Sequence, residues 1–224
     1  MKDKSVVGEN LASALDQRKN EFSLKADERK KRVYSEGIQA VSASGILDQA
    51  KKMGDQAVDF ELENALGDPV RLSDYLEKGP VILTWYRGGW CPYCNLTLRH
   101  MQKALPGFRT QGANLIALTP ELPDKSLSTA QKHELEFEVL SDVGNQVARQ
   151  YGIVFKLTDE VAEIYQQSFD ILEYNGDDSQ ELPLAATYII NPRGKIVYAF
   201  LDADYRNRAE PTDILNALEL YREG

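Results

Sequence analysis

From residue 54 onward, short apolar runs alternate with stretches of helical periodicity. Val58-Asp59-Phe60-Glu61-Leu62 alternates apolar and polar residues, the period of a half-buried strand. Pro80-Val81-Ile82-Leu83-Thr84-Trp85-Tyr86 is a short apolar run rich in β-formers and Leu115-Ile116-Ala117-Leu118-Thr119 a second apolar run, both as expected of buried strands. Phe137-Glu138-Val139-Leu140 predicts one more short strand. Ala186-Thr187-Tyr188-Ile189-Ile190 and Lys195-Ile196-Val197-Tyr198-Ala199-Phe200 flank Asn191-Pro192-Arg193-Gly194, whose second proline and fourth glycine suit a type I turn and hence a hairpin. Helical spacing appears between these runs. Leu96, Leu98, Met101 and Leu105 predict a helix after the first buried strand, residues 126–133 predict another, and Asp142 caps a third that runs to Tyr151 and stops at Gly152. Residues 70–76 predict a short turn or helix opened by Ser73 or Asp74, and Pro211 opens a final amphipathic helix over 212–222. The fold class is α/β: two strand–helix–strand units, then a hairpin and a helix.

Two segments stand apart from that alternation. Residues 1–53 are rich in Lys, Arg, Glu, Ala and Gln and hold no proline. Leu11, Leu15, Phe22, Ala26 and Val33 recur at spacings of four and seven, a thin apolar stripe that predicts an exposed helix. Ile46, Leu47, Ala50 and Met53 predict a second short helix ended by Gly54. The chain is therefore divided into a helical N-terminal extension, 1–53, and a domain over 54–224. The extension reads as a solvated helix lying on the domain, with a homodimerisation arm as the sharper alternative. Holding no thiol, histidine or proline, it is expected to be dispensable for the chemistry. Residues 156–181 interrupt the domain as an inserted segment: a helix from Asp159 to Leu172, then a polar Asn-Gly-Asp-Asp loop of the kind that serves as a lid or interface.

Composition narrows the class. Hydrophobic residues make up 42% of the 224, enough for a sizeable core, and the net charge of −9 argues against nucleic acid or an anionic membrane as partner. No stretch reaches the apolar length of a membrane span, and the opening MKDKSVVGENLASALDQRKNEF lacks the apolar core and cleavage site of a secretory leader. A cytoplasmic location is the expectation.

The chemistry is concentrated in Trp90-Cys91-Pro92-Tyr93-Cys94, which holds the chain's two cysteines. They sit between a buried strand, a Gly-Gly turn and the start of a helix. Free N–H groups and the dipole at a helix N-terminus stabilise a thiolate, the attacking form of the side chain. Zinc is the competing reading, with His100 and His133 as further ligands, but structural zinc usually pairs its ligands closely and these histidines are isolated. A purely structural disulfide is weak as well, because so short a loop removes little chain entropy. Two inert buried thiols leave the Gly-Gly-Trp approach and the helix start without a purpose. Thiol redox chemistry without metal or cofactor is the expectation, with Cys91 and Cys94 as its residues and a reversible disulfide between them.

The chain resembles the peroxiredoxin-like branch of the alkyl hydroperoxide reductase and thiol-specific antioxidant family. The likeness covers about 54–223 and rests on Asp59-Phe60-Glu61-Leu62, Leu72-Ser73-Asp74-Tyr75-Leu76, Tyr86-Arg87-Gly88-Gly89-Trp90-Cys91-Pro92-Tyr93-Cys94, Leu140-Ser141-Asp142 and Asp202-Ala203-Asp204-Tyr205. The resemblance implies a thioredoxin-like fold of peroxiredoxin type and a thiol-dependent peroxidase. Such an enzyme reduces hydrogen peroxide or organic hydroperoxides and is recycled by thioredoxin or a similar reductant. Many members carry Thr-Pro-x-Cys, the last cysteine being the one oxidised. Cys94 falls on that cysteine and Cys91 stands in the threonine's place, so the register implies that Cys94 attacks and Cys91 resolves. An arginine expected before the Thr-Tyr strand is replaced by Ala185 and Ala186, leaving Arg87, Arg99 and Arg149 as candidates for its work. Read instead as a thioredoxin-like thiol–disulfide oxidoreductase, Cys91 attacks and Cys94 releases, although Ala185 occupies roughly the place of the cis-proline in that pattern. A redox-responsive binding protein is the third reading.

Overall fold

The computed structural model describes residues 10–223; the first nine residues, part of the segment read for a leader, and Gly224 lie outside it. Two long helices come first, α1 (Leu11–Lys25) and α2 (Glu28–Ala43), followed by the short α3 (Ile46–Gln49). The apolar stripe that suggested one helix is broken at Ala26-Asp27. The Asp27 side chain accepts a hydrogen bond from the Lys30 backbone N–H and so starts a new helix.

β1 (Glu61–Glu63) and β2 (Pro69–Arg71) form a small antiparallel ribbon, and α4 (Leu72–Leu76) follows directly. The strand expected over 58–62 is thus shorter and shifted toward Glu63. Asp59 instead spends its carboxylate on backbone N–H groups, those of Phe60 and Ser73. Next come β3 (Val81–Trp85), α5 (Pro92–Thr110), β4 (Asn114–Thr119), α6 (Pro123–Lys132) and β5 (Glu138–Ser141). A single 3₁₀ turn (Val143–Asn145) leads into α7 (Gln146–Gln150). The Asp142 carboxylate accepts from the backbone N–H groups of both Val147 and Ala148, so it caps α7 across that turn.

The segment expected as helix plus loop is more ordered. β6 (Val154–Lys156), α8 (Asp159–Ser168), α9 (Ile171–Asn175) and β7 (Glu181–Pro183) follow in order, and β6 pairs antiparallel with β7, closing the insertion at its base. The expected single helix is interrupted at Phe169, which is extended, and restarts where the Asp170 side chain caps Leu172. β8 (Thr187–Ile190), β9 (Ile196–Phe200) and α10 (Pro211–Glu223) complete the chain.

The central sheet has the order β5-β4-β3-β8-β9. β3, β4 and β5 run parallel, whereas β8 runs antiparallel to β3 and to β9. Val81 to Trp85 is buried at every position, as a central strand covered on both faces requires. Trp85, Tyr151 and Tyr188 pack ring against ring within one face's core, while Ile82, Met101, Leu105, Phe108 and Ile214 lie in the other. In sheets of this kind, ligands bind beyond the carboxyl ends of the parallel strands. The loop from Tyr86 to Trp90 leaves β3 at that end.

The N-terminal helices are packed into this architecture. Leu11 and Leu15 are buried in one cluster with Tyr86, Cys91, Tyr93, Cys94 and Leu98. The Glu210 carboxylate accepts from the first two free backbone N–H groups of α1, those of Leu11 and Ala12.

Candidate active site

Cys91 is the residue that caps the N-terminus of α5, and Pro92 opens the helix. A proline there costs no hydrogen bond, because the first N–H groups of a helix have no partner inside it. Cys94 follows within the same turn, so the C-x-x-C spacing and the helix start together bring both sulfurs to one place. Two glycines make the approach possible: a Cβ at Gly88 would collide with the Trp90 indole, and one at Gly89 with the Thr129 hydroxyl.

Both cysteines are free and fully buried. The Cys91 sulfur accepts from Arg87 Nη2 at 3.6 Å. The Cys94 sulfur receives the backbone N–H of Arg87 at 3.4 Å and Arg208 Nη2 at 3.5 Å. Burial pushes the Cys91 thiol up, but a hydrogen bond from Cys94 and the charges of Arg87 and Arg208 outweigh it and hold the group well below the ordinary thiol range. Cys94 moves the other way: burial, its hydrogen bond to Cys91 and the charge on Cys91 keep its thiol protonated, well above that range. An arginine and a helix N-terminus beside a sulfur are surroundings that favour its thiolate form.

Arg87 is held in turn. Its Nη2 donates to the Tyr165 hydroxyl at 3.0 Å, its guanidinium lies 3.9 Å from the Tyr205 ring centre and 5.0 Å from that of Trp90, and its Nε has no partner. Burial opposes its charge, but Tyr165, Cys91 and Tyr205 keep it protonated. The loop between Arg87 and Cys91 is clamped at Gly89. Its N–H donates to Glu121 at 2.9 Å, and its carbonyl accepts from Asn95 Nδ2 at 2.8 Å. Glu121 has no exposed surface, and burial pushes its carboxyl up to about 7 against the hydrogen bonds it accepts.

A cavity of about 160 Å³ adjoins Cys91. Phe22 and Tyr34 of the N-terminal helices, Trp90 beside the cysteine, and Tyr165 and Phe169 of the insertion supply its aromatic wall, with Arg18 and Arg87 also lining it.

Of the residues singled out in the sequence, Cys91 and Cys94 come together, and Arg87 is the candidate arginine that reaches a sulfur. Arg149 pairs with Glu181, and Arg99 is exposed on α5. His100 bonds the Leu96 carbonyl of its own helix, and His133 bonds Asn95, so neither joins the cysteines. Sequence reasoning missed Arg208, Glu121, Tyr165 and the aromatic side chains of α1 and α2. The matched segment Asp202-Ala203-Asp204-Tyr205 stops three residues short of Arg208, the nearest the sequence came to it.

The sequence profile of the AhpC/TSA family matches residues 53–199. A Mycobacterium tuberculosis protein named "Putative peroxiredoxin Rv1608c" is 29% identical over 120 residues, which cover 54% of this chain and 78% of that one. The thiol-disulfide oxidoreductase ResA of Halalkalibacterium halodurans is 31% identical over 103 residues, 46% of this chain and 57% of that protein. Among solved structures, the peroxidoxin BcpB of Mycobacterium tuberculosis superimposes with a TM-score of 0.60 at 23% identity, over 75% of this chain and 97% of that one. That likeness is one of fold: a thioredoxin-like fold of peroxiredoxin type with helices added at its N-terminus.

Proposed function

Because the chain belongs to the AhpC/TSA family, we propose that it is a thiol-dependent peroxidase that works through the Cys91–Cys94 pair. The observation that carries this reading is the division of surroundings between the two sulfurs: Cys91 receives Arg87 and adjoins a cavity, while Cys94, in the same helical turn, receives Arg208 and the Arg87 backbone N–H.

The chemistry follows from that division. The Cys91 thiolate attacks one peroxide oxygen, the O–O bond breaks, and the departing oxygen takes a proton to leave as an alcohol or water. Cys91 is then a sulfenic acid, poised next to a thiol. The Cys94 sulfur attacks the Cys91 sulfur, the S–O bond breaks, and the hydroxyl leaves as water with the Cys94 proton. Arg87 stabilises the Cys91 thiolate before attack and the negative charge that passes to the departing oxygen. A thioredoxin-like reductant resets the disulfide by thiol–disulfide exchange, the route open to cycling cysteines in a reducing cytoplasm. This order reverses the one implied by the family register, which puts Cys94 first. The reason for this order is that their surroundings move the Cys91 thiol down and the Cys94 thiol up, and that Cys91 is the sulfur that lines the cavity.

One observation favours a second reading. A low-pKa first cysteine in C-x-x-C also suits attack on a disulfide, and ResA shows the kinship of such oxidoreductases to this chain.

Reciprocal serine variants test the proposal. Cys94→Ser exposed to hydrogen peroxide or cumene hydroperoxide is expected to carry a sulfenic acid on Cys91 that a dimedone-type probe captures, and Cys91→Ser to carry none on Cys94. The opposite labelling pattern restores the Cys94-first order. Slow reaction with both peroxides beside fast exchange with a disulfide substrate replaces the peroxidase by the oxidoreductase.

A further inference from the structure

Aromatic rings make up most of the wall of the Cys91 cavity, with the Arg18 and Arg87 side chains beside them. Trp90 and Phe169 stack with ring centres 4.5 Å apart, Trp90 and Tyr165 meet edge to face at 5.3 Å, and Phe22 stacks on Tyr34 at 5.5 Å. These rings come from three separate parts of the chain: the N-terminal helical pair, the cysteine loop and the insertion. The cavity they line holds about 160 Å³. An apolar cavity of about 150 Å³ takes one benzene molecule. Hydrogen peroxide fills only a small part of such a space and has no apolar surface to match its wall.

Cys91 itself exposes no surface, so a reacting oxygen reaches the sulfur only when part of this wall gives way. Phe22, Tyr34, Trp90 and Phe169 are all partly exposed, which makes them the movable side of the cavity. Binding of a non-reacting apolar group can drive that displacement, the use of remote binding energy to reach a reactive arrangement. Hydrogen peroxide carries no such group.

We propose that Phe22, Tyr34, Trp90 and Phe169 form an aryl-sized subsite that selects organic hydroperoxides by their apolar body, with Phe22 and Tyr34 as specificity-determining residues supplied by the N-terminal helices. The inference rests on the peroxidase reading and gives it a substrate class. It also gives α1 and α2 a functional role, since they build one wall of the substrate site.

The test compares cumene hydroperoxide with hydrogen peroxide as oxidants of the reduced full-length protein, followed by stopped-flow fluorescence of the tryptophans. In parallel, binding of the non-reactive alcohol 2-phenylpropan-2-ol is measured by calorimetry. The expected result is a second-order rate constant about tenfold or more higher for cumene hydroperoxide, the scale on which an apolar pocket discriminates. Phe22→Ala and Tyr34→Ala are expected to lower that ratio about tenfold and to weaken binding of the alcohol. Phe22→Leu, which keeps apolar bulk, restores most of both. Equal rate constants in the wild-type protein overturn the subsite and leave the peroxidase standing. A ratio unchanged in Phe22→Ala and Tyr34→Ala, with their thermal melts shown to be cooperative, also overturns it. Binding of the alcohol without oxidation by either peroxide sinks the peroxidase reading and, with it, the substrate assignment, while leaving the cavity itself as an aryl-binding site.

Discussion

Arg87 acts on the Cys91 sulfur directly, and it is placed to do so by neighbours that have no redox chemistry of their own. Removing an opposite charge from beside an ionised group shifts that group's pKa by about one to three units. Arg87→Met is therefore expected to raise the Cys91 pKa, read from the ultraviolet absorbance of the thiolate against pH. Arg87→Lys should restore part of the shift, since it keeps a charge but loses the planar fork that serves Cys91 and Tyr165 together. Glu121 makes a different prediction. Its carboxyl titrates near 4.5 when unfolded and at about 7 in the folded protein. Between those values the folded state keeps a proton that the unfolded chain releases, so this group's contribution to stability falls as pH rises through the window. The loss is on the order of 3 kcal/mol at most. Glu121→Gln keeps a neutral acceptor for Gly89 and is expected to remove that component. Urea midpoints measured at mildly acidic and mildly alkaline pH would converge in the variant. A variant with an unaltered pH slope would show that Glu121 is not the group responsible.

Helix α1 illustrates how an element gains its importance from packing. Its stripe is thin, with Leu11, Ala14 and Leu15 as the buried positions, so in isolation it would form a marginal helix. Against α5 those few residues meet the cluster that contains both cysteines. Leu15→Ala is expected to cost about 3 kcal/mol, in line with truncation of a buried leucine. Denaturant unfolding with fluorescence detection measures it. Because Leu15 packs where the sulfurs lie, the rate of Cys91 oxidation should change as well, which an ordinary surface helix would not produce. α7 is dependent in a similar way on one side chain. Removing the Asp142 carboxylate leaves the buried N–H groups of Val147 and Ala148 without acceptors. Asp142→Ala should destabilise the fold by about 2 kcal/mol, whereas Asp142→Asn should recover much of the loss.

At the scale of the molecule, the site lies where two additions to the sheet converge on the cysteine loop at the end of β3. The sheet presents the cysteine loop, the insertion brings Tyr165 and Phe169, and the N-terminal helices bring Phe22 and Tyr34. A chain shortened to begin at Gly54 uncovers Leu98 and Tyr93 and loses one wall of the cavity. The sequence alone predicts that such a protein keeps its chemistry. The packing adds three expectations to that: preserved far-ultraviolet strand signal, increased binding of a hydrophobic dye, and loss of any preference for an aryl hydroperoxide over hydrogen peroxide. An unchanged preference in a folded, shortened protein would remove the N-terminal helices from the substrate site.

What the sequence determined by itself is local. Continuous apolar runs located the central strands, because a strand buried on both faces has no need of alternating polar positions. Asn191-Pro192-Arg193-Gly194 located the hairpin through turn chemistry. The cysteine pair was legible as a reactive site because its geometry depends on a single helical turn and on the glycines just before it. The breaks at Ala26-Asp27 and at Phe169 escaped notice because Asp27 and Asp170 act through caps, which a periodicity reading smooths over. Only the tertiary structure decided what surrounds each sulfur. Arg208 is brought to Cys94 from the far end of the chain, and the fold buries both thiols completely. The aromatic wall was equally hidden. Phe22, Tyr34 and Phe169 are ordinary aromatic residues in three distant segments, and they acquire a shared role only when the fold closes them around one sulfur.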